Sequence, residues 1–173
     1  GIGRDITDRK KTEDALKKSE EEFRKIFDNS IEGIFQTTLD GTLIRINPAF
    51  AQLFGYSSTE EMMDNVANAR TQLYFDTEER DLFIKQLCKK GYLKNYELKF
   101  AKRDGKPFWV STNTQVVCSA NGDPEYLEGT MIDITEKKQA QKLIKLSEAR
   151  LKRAELVSHI GNWELHVDTD KII

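Results

Sequence analysis

The sequence contains a repeat whose period is the length of a whole domain. The stretch DITEKK, which starts at Asp133, resembles the stretch DITDRK, which starts at Asp5. A repeat of this size predicts domains in tandem, whereas a solenoid repeats about every 20–50 residues. We therefore expect a fragment that holds one complete unit, the end of a preceding unit and the start of a following one. At the same offset the similarity also pairs Leu16 with Ile144, Ser19 with Ser147, Phe23 with Leu151 and Gly33 with Gly161.

The repeat divides the chain into four parts. Residues 1–29 are expected to hold the end of the preceding unit and a first linker helix, and residues 30–135 the central domain. Residues 136–158 are expected to form a second linker helix, and residues 159–173 the start of the next unit.

Composition excludes some classes of protein. No apolar run approaches the ~18 residues of a membrane span, and the chain opens without an export signal. We expect a cytoplasmic location, with any membrane anchor of the parent protein outside this fragment. The net charge of −2 gives no support for a nucleic-acid partner, because such a binding face usually makes its domain basic.

Both linker segments carry a narrow apolar stripe. Residues 8–28 predict an amphipathic helix with Thr7 or Asp5 as its N-cap. A narrow stripe is completed either by a second helix in a coiled-coil dimer or by packing on the helix's own domain. Its recurrence in both linkers favours a homodimer through the linker helices. The first stripe is Ala15, Leu16, Ser19, Phe23, Ile26 and Phe27, and the second is Leu143, Ile144, Ser147, Leu151 and Ala154.

Between the linkers the pattern changes to short strands and turns. Residues 33–38 and 42–47 flank Asp40-Gly41 and predict a hairpin. Residues 92–102, 107–119 and 125–134 are joined by turn sequences and predict three further antiparallel strands.

Helix signals fill the gap between the two groups of strands. Pro48 suits the first position of a helix, and Ser58 and Glu61 have the spacing of a capping box. A longer helix is predicted for residues 77–90, with Leu82, Phe83, Gln86 and Leu87 as its apolar face. The expected fold class is α+β: a five-stranded antiparallel sheet with short helices on one face, flanked by long amphipathic linker helices.

The order of these elements and the residues in them resemble a PAS domain, a sensory fold of bacterial and archaeal signalling proteins. The resemblance implies a sensor or relay module without catalytic activity of its own. It also implies adjacent PAS and output domains in the same chain, commonly those of a sensor histidine kinase. The stretch HIGNWE, from His159, looks like the first strand of another PAS unit. The resemblance rests on SIEGIF from Ser30, NPAF from Asn47, FGYS from Phe54, RDG from Arg103 and DITEK from Asp133.

We predict no cofactor and no metal site. Haem-binding relatives use a histidine on the long helix, but residues 77–90 contain none, so haem ligation of that type is not expected, although Cys88 could substitute in principle. Photoactive flavin relatives carry an Asn-Cys-Arg motif, and the matching Asn68-Ala69-Arg70 has alanine in place of the reactive thiol. Cys88 and Cys118 lack the spacing of metal ligands and are interpreted as structural thiols of a reducing compartment.

The candidate ligand site is the interior between the sheet and the helices. Alternation along residues 107–119 gives two candidate inward faces, and a shift of one residue exchanges them. We choose the face with Val110, Thr112 and Thr114 over the face with Ser111, Asn113 and Gln115, because it joins Phe100 and Met131. The helices are expected to add Phe50, Leu53, Phe54, Leu82, Phe83 and Leu87.

These side chains form either a plain core or a small cavity in which Gln36 and Thr112 are the polar groups. The predicted ligand-binding set is Gln36, Phe50, Phe83, Leu87, Phe100, Val110, Thr112 and Met131.

Asp133 and Thr135 are predicted to form a signal junction. Thr135 is expected to cap the second linker helix, and Asp133 to accept a charge-assisted bond from Arg103 or Lys106. Three functions remain open at this point: a relay that dimerises through its linker helices, a sensor with a small-molecule ligand in its interior, and a passive spacer.

Overall fold

A computed structural model describes the backbone of residues 2–160 and the side-chain surroundings of residues 10–156. The chain divides into two units, residues 1–135 and residues 136–173. The first unit contains α1 (Ile2–Asn29), β1 (Gly33–Thr37), β2 (Leu43–Ile46), α2 (Pro48–Leu53), α3 (Thr59–Asn65), α4 (Ala69–Gln72), α5 (Thr77–Lys90), β3 (Tyr92–Ala101), β4 (Pro107–Cys118) and β5 (Pro124–Asp133).

The strands form one antiparallel sheet in the order β2-β1-β5-β4-β3. Along the sequence, the hairpin β1–β2 comes before the helices, and the three-stranded group β3–β4–β5 comes after them. The two groups join where β1 pairs with β5, with Phe35 opposite Gly129. The predicted α+β class and five-stranded antiparallel sheet are confirmed.

Helix caps fix where the helices between the two groups of strands begin and end. The side chain of Asp76 accepts hydrogen bonds from the first amides of α5, and Gly91, in the left-handed region at φ 78°, ends that helix. Ser58 accepts from the Glu61 amide at the start of α3, as the capping-box spacing predicts. Helices α2 and α5 contact the sheet and enclose the core with it.

Helix α5 buries a face that differs in part from the predicted one. Phe83 and Leu87 are buried, but Leu82 is 59% exposed and Gln86 is also exposed. Arg80 is buried instead. Because one helical face repeats at steps of three and four, Arg80 shares the face of Phe83 and Leu87, whereas Leu82 and Gln86 lie to one side.

The outer edge of β3 is irregular along its length. The pairing with β4 shifts register between Leu93 and Tyr96, and Asn95 has a φ of 50°. At the other end of the strand, residues 73–75 cover the edge. The Ala101 amide donates to the Leu73 carbonyl at 2.8 Å, and the Phe75 amide donates to the Lys99 carbonyl at 3.1 Å.

The linker helices are longer than predicted. Helix α1 begins at Ile2, so Asp5 and Thr7 lie inside it, and the prediction that either is the N-cap was wrong. In the second unit, α6 (Thr135–Ile160) extends through His159, so the first two residues of the HIGNWE stretch are helical. The rest of that stretch lies outside the described residues. Among residues 2–160, no helix is long and apolar enough to cross a membrane.

Candidate functional site

A small cavity lies between the inner face of the sheet and helices α4 and α5, with a volume of about 30 Å³. A cavity of this volume holds one or two water molecules, since one water needs about 10–15 Å³. It is far below the ~300–1,000 Å³ of pockets for larger ligands. Five residues of the predicted set line it: Phe50, Phe83, Phe100, Thr112 and Met131.

The central strand presents the predicted face to this interior. Val110, Thr112 and Thr114 are buried, while Asn113 and Gln115 are exposed. The choice of this face over the alternative is therefore confirmed, although Val110 and Leu87 are buried in the core without lining the cavity.

Gln36 lies on the opposite face of the sheet, so its predicted place in the cavity was wrong. Its amide donates to a Glu128 carboxylate oxygen at 3.0 Å, and the Gln115 amide donates to the other oxygen at 2.8 Å. Neighbouring residues of a strand point to opposite faces, and in β1 the buried positions are Gly33, Phe35 and Thr37. Thr37 lines the cavity in place of Gln36.

Two hydroxyl groups form a chain on the floor of the cavity. The Thr112 hydroxyl lies 2.9 Å from the Thr114 hydroxyl and donates to the Thr130 carbonyl at 2.9 Å. Because a hydroxyl has one proton, Thr114 is the donor in the bond between the two threonines. Thr114 can therefore turn its proton toward a bound molecule without breaking the bond of Thr112 to Thr130.

Sequence reasoning missed the only charged group of the cavity wall within the described residues. Arg80 is 5% exposed and lines the cavity. Its Nη2 donates to the Leu39 carbonyl at 2.7 Å, and its guanidinium lies 5.6 Å from the Tyr74 ring centroid. Its spacing from Phe83 and Leu87 along α5 was the available signal, but charged residues are rarely buried, and the predicted inward face of this helix did not include Arg80.

The positive charge of Arg80 in this wall is only partly balanced by an acidic group. Asp81 is the acidic partner of Arg80, with an Nη1–Oδ1 distance of 3.6 Å. The same carboxylate binds Arg70 at 2.7 Å and is half exposed. Burial raises the pKa of Tyr74 to about 12, although the charge of Arg80 acts in the opposite direction. The phenol is therefore neutral at physiological pH and adds no negative charge.

The predicted junction residues bond differently from the prediction. The Thr135 hydroxyl accepts from the Trp109 amide of β4 at 2.9 Å and does not cap the helix. The Asp133 carboxylate accepts from the Thr135 amide at 2.8 Å, at the first residue of α6. Its cationic neighbour is Lys102, with an Nζ–Oδ2 distance of 3.8 Å.

The two cations predicted to bind Asp133 have other partners. Arg103 forms an ion pair with Glu61, and Lys106 pairs with Asp104 at 2.9 Å. The first ion pair joins the β3–β4 turn to α3, and the second lies within the turn. The prediction of Arg103 or Lys106 at the junction was wrong because several cations lie close together in sequence, and spacing alone does not choose among them.

No group of side chains with the composition of a metal site occurs among the described residues. Cys88 and Cys118 are both free and exposed, so they are not part of the core.

Comparisons with known proteins place this geometry in a family. The chain is 23% identical over 158 residues to the sensor histidine kinase TmoS of Ectopseudomonas mendocina, covering 88% of this chain and 16% of the kinase. It is 29% identical over 145 residues to sporulation kinase C of Bacillus subtilis (strain 168), covering 82% of this chain and 33% of that kinase. The chain thus spans a third or less of these curated relatives.

A solved structure and a family model also match this chain. A sensory box histidine kinase/response regulator from Burkholderia thailandensis has a similar fold, with a TM-score of 0.59 at 20% identity. The match covers 76% of this chain and 98% of that chain. The model of the PAS domain family matches residues 31–136. This match covers more than half of the sequence, and the chain therefore belongs to the PAS domain family.

Proposed function

We propose that this sensory domain is a non-catalytic relay module of a larger signalling protein. In this proposal it dimerises through its flanking helices and passes a conformational change along α6 to an output domain. The parent protein is proposed to be a sensor histidine kinase with further PAS domains, located in the cytoplasm or anchored to a membrane outside this chain. The observation that carries the proposal is that β4 lines the interior cavity and also bonds the start of α6.

The connection from cavity to helix is short. Thr112 of β4 lies opposite Met131 of β5, and both line the cavity. A few residues away, the Ile134 amide donates to the Trp109 carbonyl at 2.8 Å, and the Trp109 amide donates to Thr135. A shift of β4 relative to β5 therefore changes the hydrogen bonds that hold the first turn of α6. A ligand that favours one strand arrangement would bias the helix through these bonds.

Replacing both Asp133 and Thr135 by alanine is expected to speed hydrogen exchange in the first two turns of α6. The variant loses the carboxylate that accepts from the Thr135 amide and the hydroxyl that accepts from the Trp109 amide. A lost cap of about 0.5–2 kcal/mol corresponds to roughly 2- to 30-fold lower protection. Hydrogen exchange followed by mass spectrometry measures this directly.

Asp104→Ala is the matched control for this junction variant. It removes an exposed carboxylate of the β3–β4 turn whose partner is Lys106. Exchange in α6 should stay unchanged in the control. Unchanged exchange in the double variant as well would contradict the proposed junction.

Dimerisation is supported by the apolar stripes, which the structure leaves largely uncovered. On α6, Leu143 is 68%, Ile144 58% and Leu151 62% exposed. On α1, Leu16 and Ile26 are also exposed, although Phe27 is buried. Contiguous apolar side chains at this spacing are typical of a coiled-coil seam that a second helix completes.

Changing Leu143, Ile144 and Leu151 together to serine is expected to convert a dimer to a monomer. The variant removes the large apolar side chains from the proposed seam and leaves the first unit intact. Sedimentation velocity at matched concentrations measures the change in mass. The control changes Lys142, Lys145 and Lys152 to serine on another side of the same helix. A wild-type chain that sediments as a monomer, or a dimer that survives the apolar substitutions, would argue against this seam.

A second candidate function, a sensor of a small molecule, is favoured by the buried Arg80 in the cavity wall. The third reading, a passive spacer, predicts neither a dissociating dimer nor a response of α6 to changes at the junction. The two experiments above therefore separate the relay from the spacer.

A further inference from the structure

We propose that a groove on the outer face of the sheet binds an organic acid with an elongated apolar body, and that Arg45 holds the acid group. The groove is lined by α1 on one side and by the start of β3 on the other, and its volume is about 650 Å³. This volume is within the ~300–1,000 Å³ of ligand pockets. The inference goes beyond the functions proposed above, because the interior cavity lies on the other face of the sheet. The dimer seam tested above lies on α6 and uses none of the side chains of the groove.

One row of side chains crosses the whole sheet and forms the floor of the groove. Each strand contributes one member, and neighbouring members lie directly opposite each other in the strand pairing. Because strands are 4.7–4.9 Å apart, the row is about 19 Å long. The floor therefore suits an extended molecule, with a cation at one end and an aromatic ring at the other. From β2 to β3, the row is Arg45, Gln36, Glu128, Gln115 and Tyr92.

Arg45 is held by two aromatic rings but has no acidic partner. Its guanidinium lies 4.6 Å from the Phe27 ring centroid and 5.1 Å from that of Phe23. A guanidinium in contact with aromatic rings can still bind a carboxylate through two parallel N–H bonds along its edge. Among residues 10–156, no carboxylate forms an ion pair with Arg45. The acid group of a ligand would supply that partner.

The charges around the groove favour an anion over a cation. Among the described residues, the charged side chains that line it are Arg45, Lys94 and Glu128. Both carboxylate oxygens of Glu128 already accept a side-chain amide, one from Gln36 and one from Gln115. Glu128 is two strands from Arg45, about 10 Å along the row, which exceeds the ~8 Å Debye length at physiological ionic strength. Its repulsion of an anion bound at Arg45 is therefore weak.

Exposed apolar side chains offer contact to the body of the acid. Ile26 is 72%, Phe23 52% and Tyr92 59% exposed, and all three line the groove. Covering them removes apolar surface from water, which favours binding in proportion to the area covered. A short acid such as acetate lacks this contribution and is expected to bind weakly. A longer acid would contact both α1 and the sheet, and it could thereby favour one position of the first linker helix.

The test is an NMR titration of the wild-type chain at constant ionic strength with sodium octanoate, sodium 2-naphthoate, 1-octanol or octylammonium chloride. The two acids should saturate with one-to-one stoichiometry and shift the backbone amides of Phe23, Gln36 and Arg45. The amides of Phe83 and Leu87 on α5 should stay in place. The alcohol and the amine should bind at least about tenfold more weakly, because neither forms a charge-assisted bond with the guanidinium. A stronger response to octanoate identifies an aliphatic ligand, and a stronger response to 2-naphthoate an aromatic one.

Three variants at exposed positions separate the charge from the apolar contact. Arg45→Gln should weaken the binding of both acids about tenfold or more and leave that of 1-octanol nearly unchanged. Ile26→Ser should weaken the binding of the acids and of 1-octanol alike. The control Arg70→Gln replaces an exposed arginine that does not line the groove, and it should change neither.

Three results would overturn the proposal in the wild-type chain: acids that do not saturate, octylammonium that binds as tightly as octanoate, or shifts confined to α5. A second copy of the chain is the competing occupant, and sedimentation velocity detects it. If the wild type is a dimer that Ile26→Ser converts to a monomer, and neither form binds an acid, the groove is an interface between copies and the proposal is wrong.

The outcome is independent of the relay. The same titration on the Asp133→Ala and Thr135→Ala double variant should still saturate, since neither residue lines the groove. Acid binding without a response in α6 would leave the groove site standing and contradict the relay. A relay without acid binding would do the reverse.

Discussion

Replacing Gly129 by alanine is expected to destabilise the domain by about 3 kcal/mol or more, at or beyond the upper end of the usual cost of overpacking. A Cβ at this position would lie 2.2 Å from the Asn113 carbonyl oxygen and 3.0 Å from the Thr114 Cα. Both are backbone atoms of β4, so no side chain can turn away to make room. Relief requires β4 and β5 to separate, and both are interior strands of the sheet. Urea unfolding followed by circular dichroism measures the loss.

Gly122→Ala separates close approach from backbone strain. Gly122 has a φ of 86°, which favours glycine, but a Cβ there would meet no atom within 4 Å. The expected loss for this control is about 1–2 kcal/mol, the cost of a left-handed conformation in a residue with a Cβ. If Gly129→Ala destabilises the domain no more than this control, the contact between β4 and β5 is not as close as the structure indicates.

Asn47→Ala is the second substitution with a large expected effect, again at least about 3 kcal/mol, because several buried backbone groups lose their partner together. Asn47 is fully buried. Its Oδ1 accepts from the amides of Ile34 and Phe50 at 2.8 and 2.9 Å. Its Nδ2 donates to the carbonyls of Phe27 and Glu32 at 3.1 and 2.9 Å.

One side chain thus ties the end of α1 and the start of β1 to the first turn of α2. In the alanine variant, urea unfolding should show the loss of stability, and hydrogen exchange should show a loosened last turn of α1. The control is Asn68→Ala, which removes the N-cap of α4 at an exposed site. That control should cost only about 1 kcal/mol. If the two variants lost the same unfolding free energy, the buried hydrogen bonds of Asn47 would contribute no more than an ordinary helix cap.

The fold was readable from the sequence because its turns carry strong local signals. The hairpin turns at Asp40-Gly41, Asp104-Gly105 and Asn121-Gly122 all contain a glycine with positive φ in the structure. Such positions fix where strands begin and end, whatever the rest of the chain does. Strand ends accordingly differ from the predicted ends by at most one residue.

The site was less readable, for reasons that particular residues make plain. A strand pattern with a period of two does not say which face is inside, and Gln36 was placed inward where Thr37 belongs. Arg80 was not among the predicted inward residues of its helix, although its helical spacing matches that of Phe83, because a charged side chain is rarely buried. Thr135 was read as a cap from local sequence, whereas its bond to Trp109 depends on a strand pairing that local sequence does not specify.

The irregular outer edge of β3 also bears on the tendency of the domain to aggregate. A long, flat, unpaired strand is a template on which another chain can add a strand, and this is a common start of aggregation. In β3, the positive φ of Asn95 interrupts the regular strand at one end. At the other end, the segment at Tyr74 pairs with Phe100 and occupies backbone hydrogen-bonding groups of the edge. The opposite edge, β2, spans only Leu43–Ile46. Neither edge of the sheet therefore offers a long, regular strand to which another chain could add.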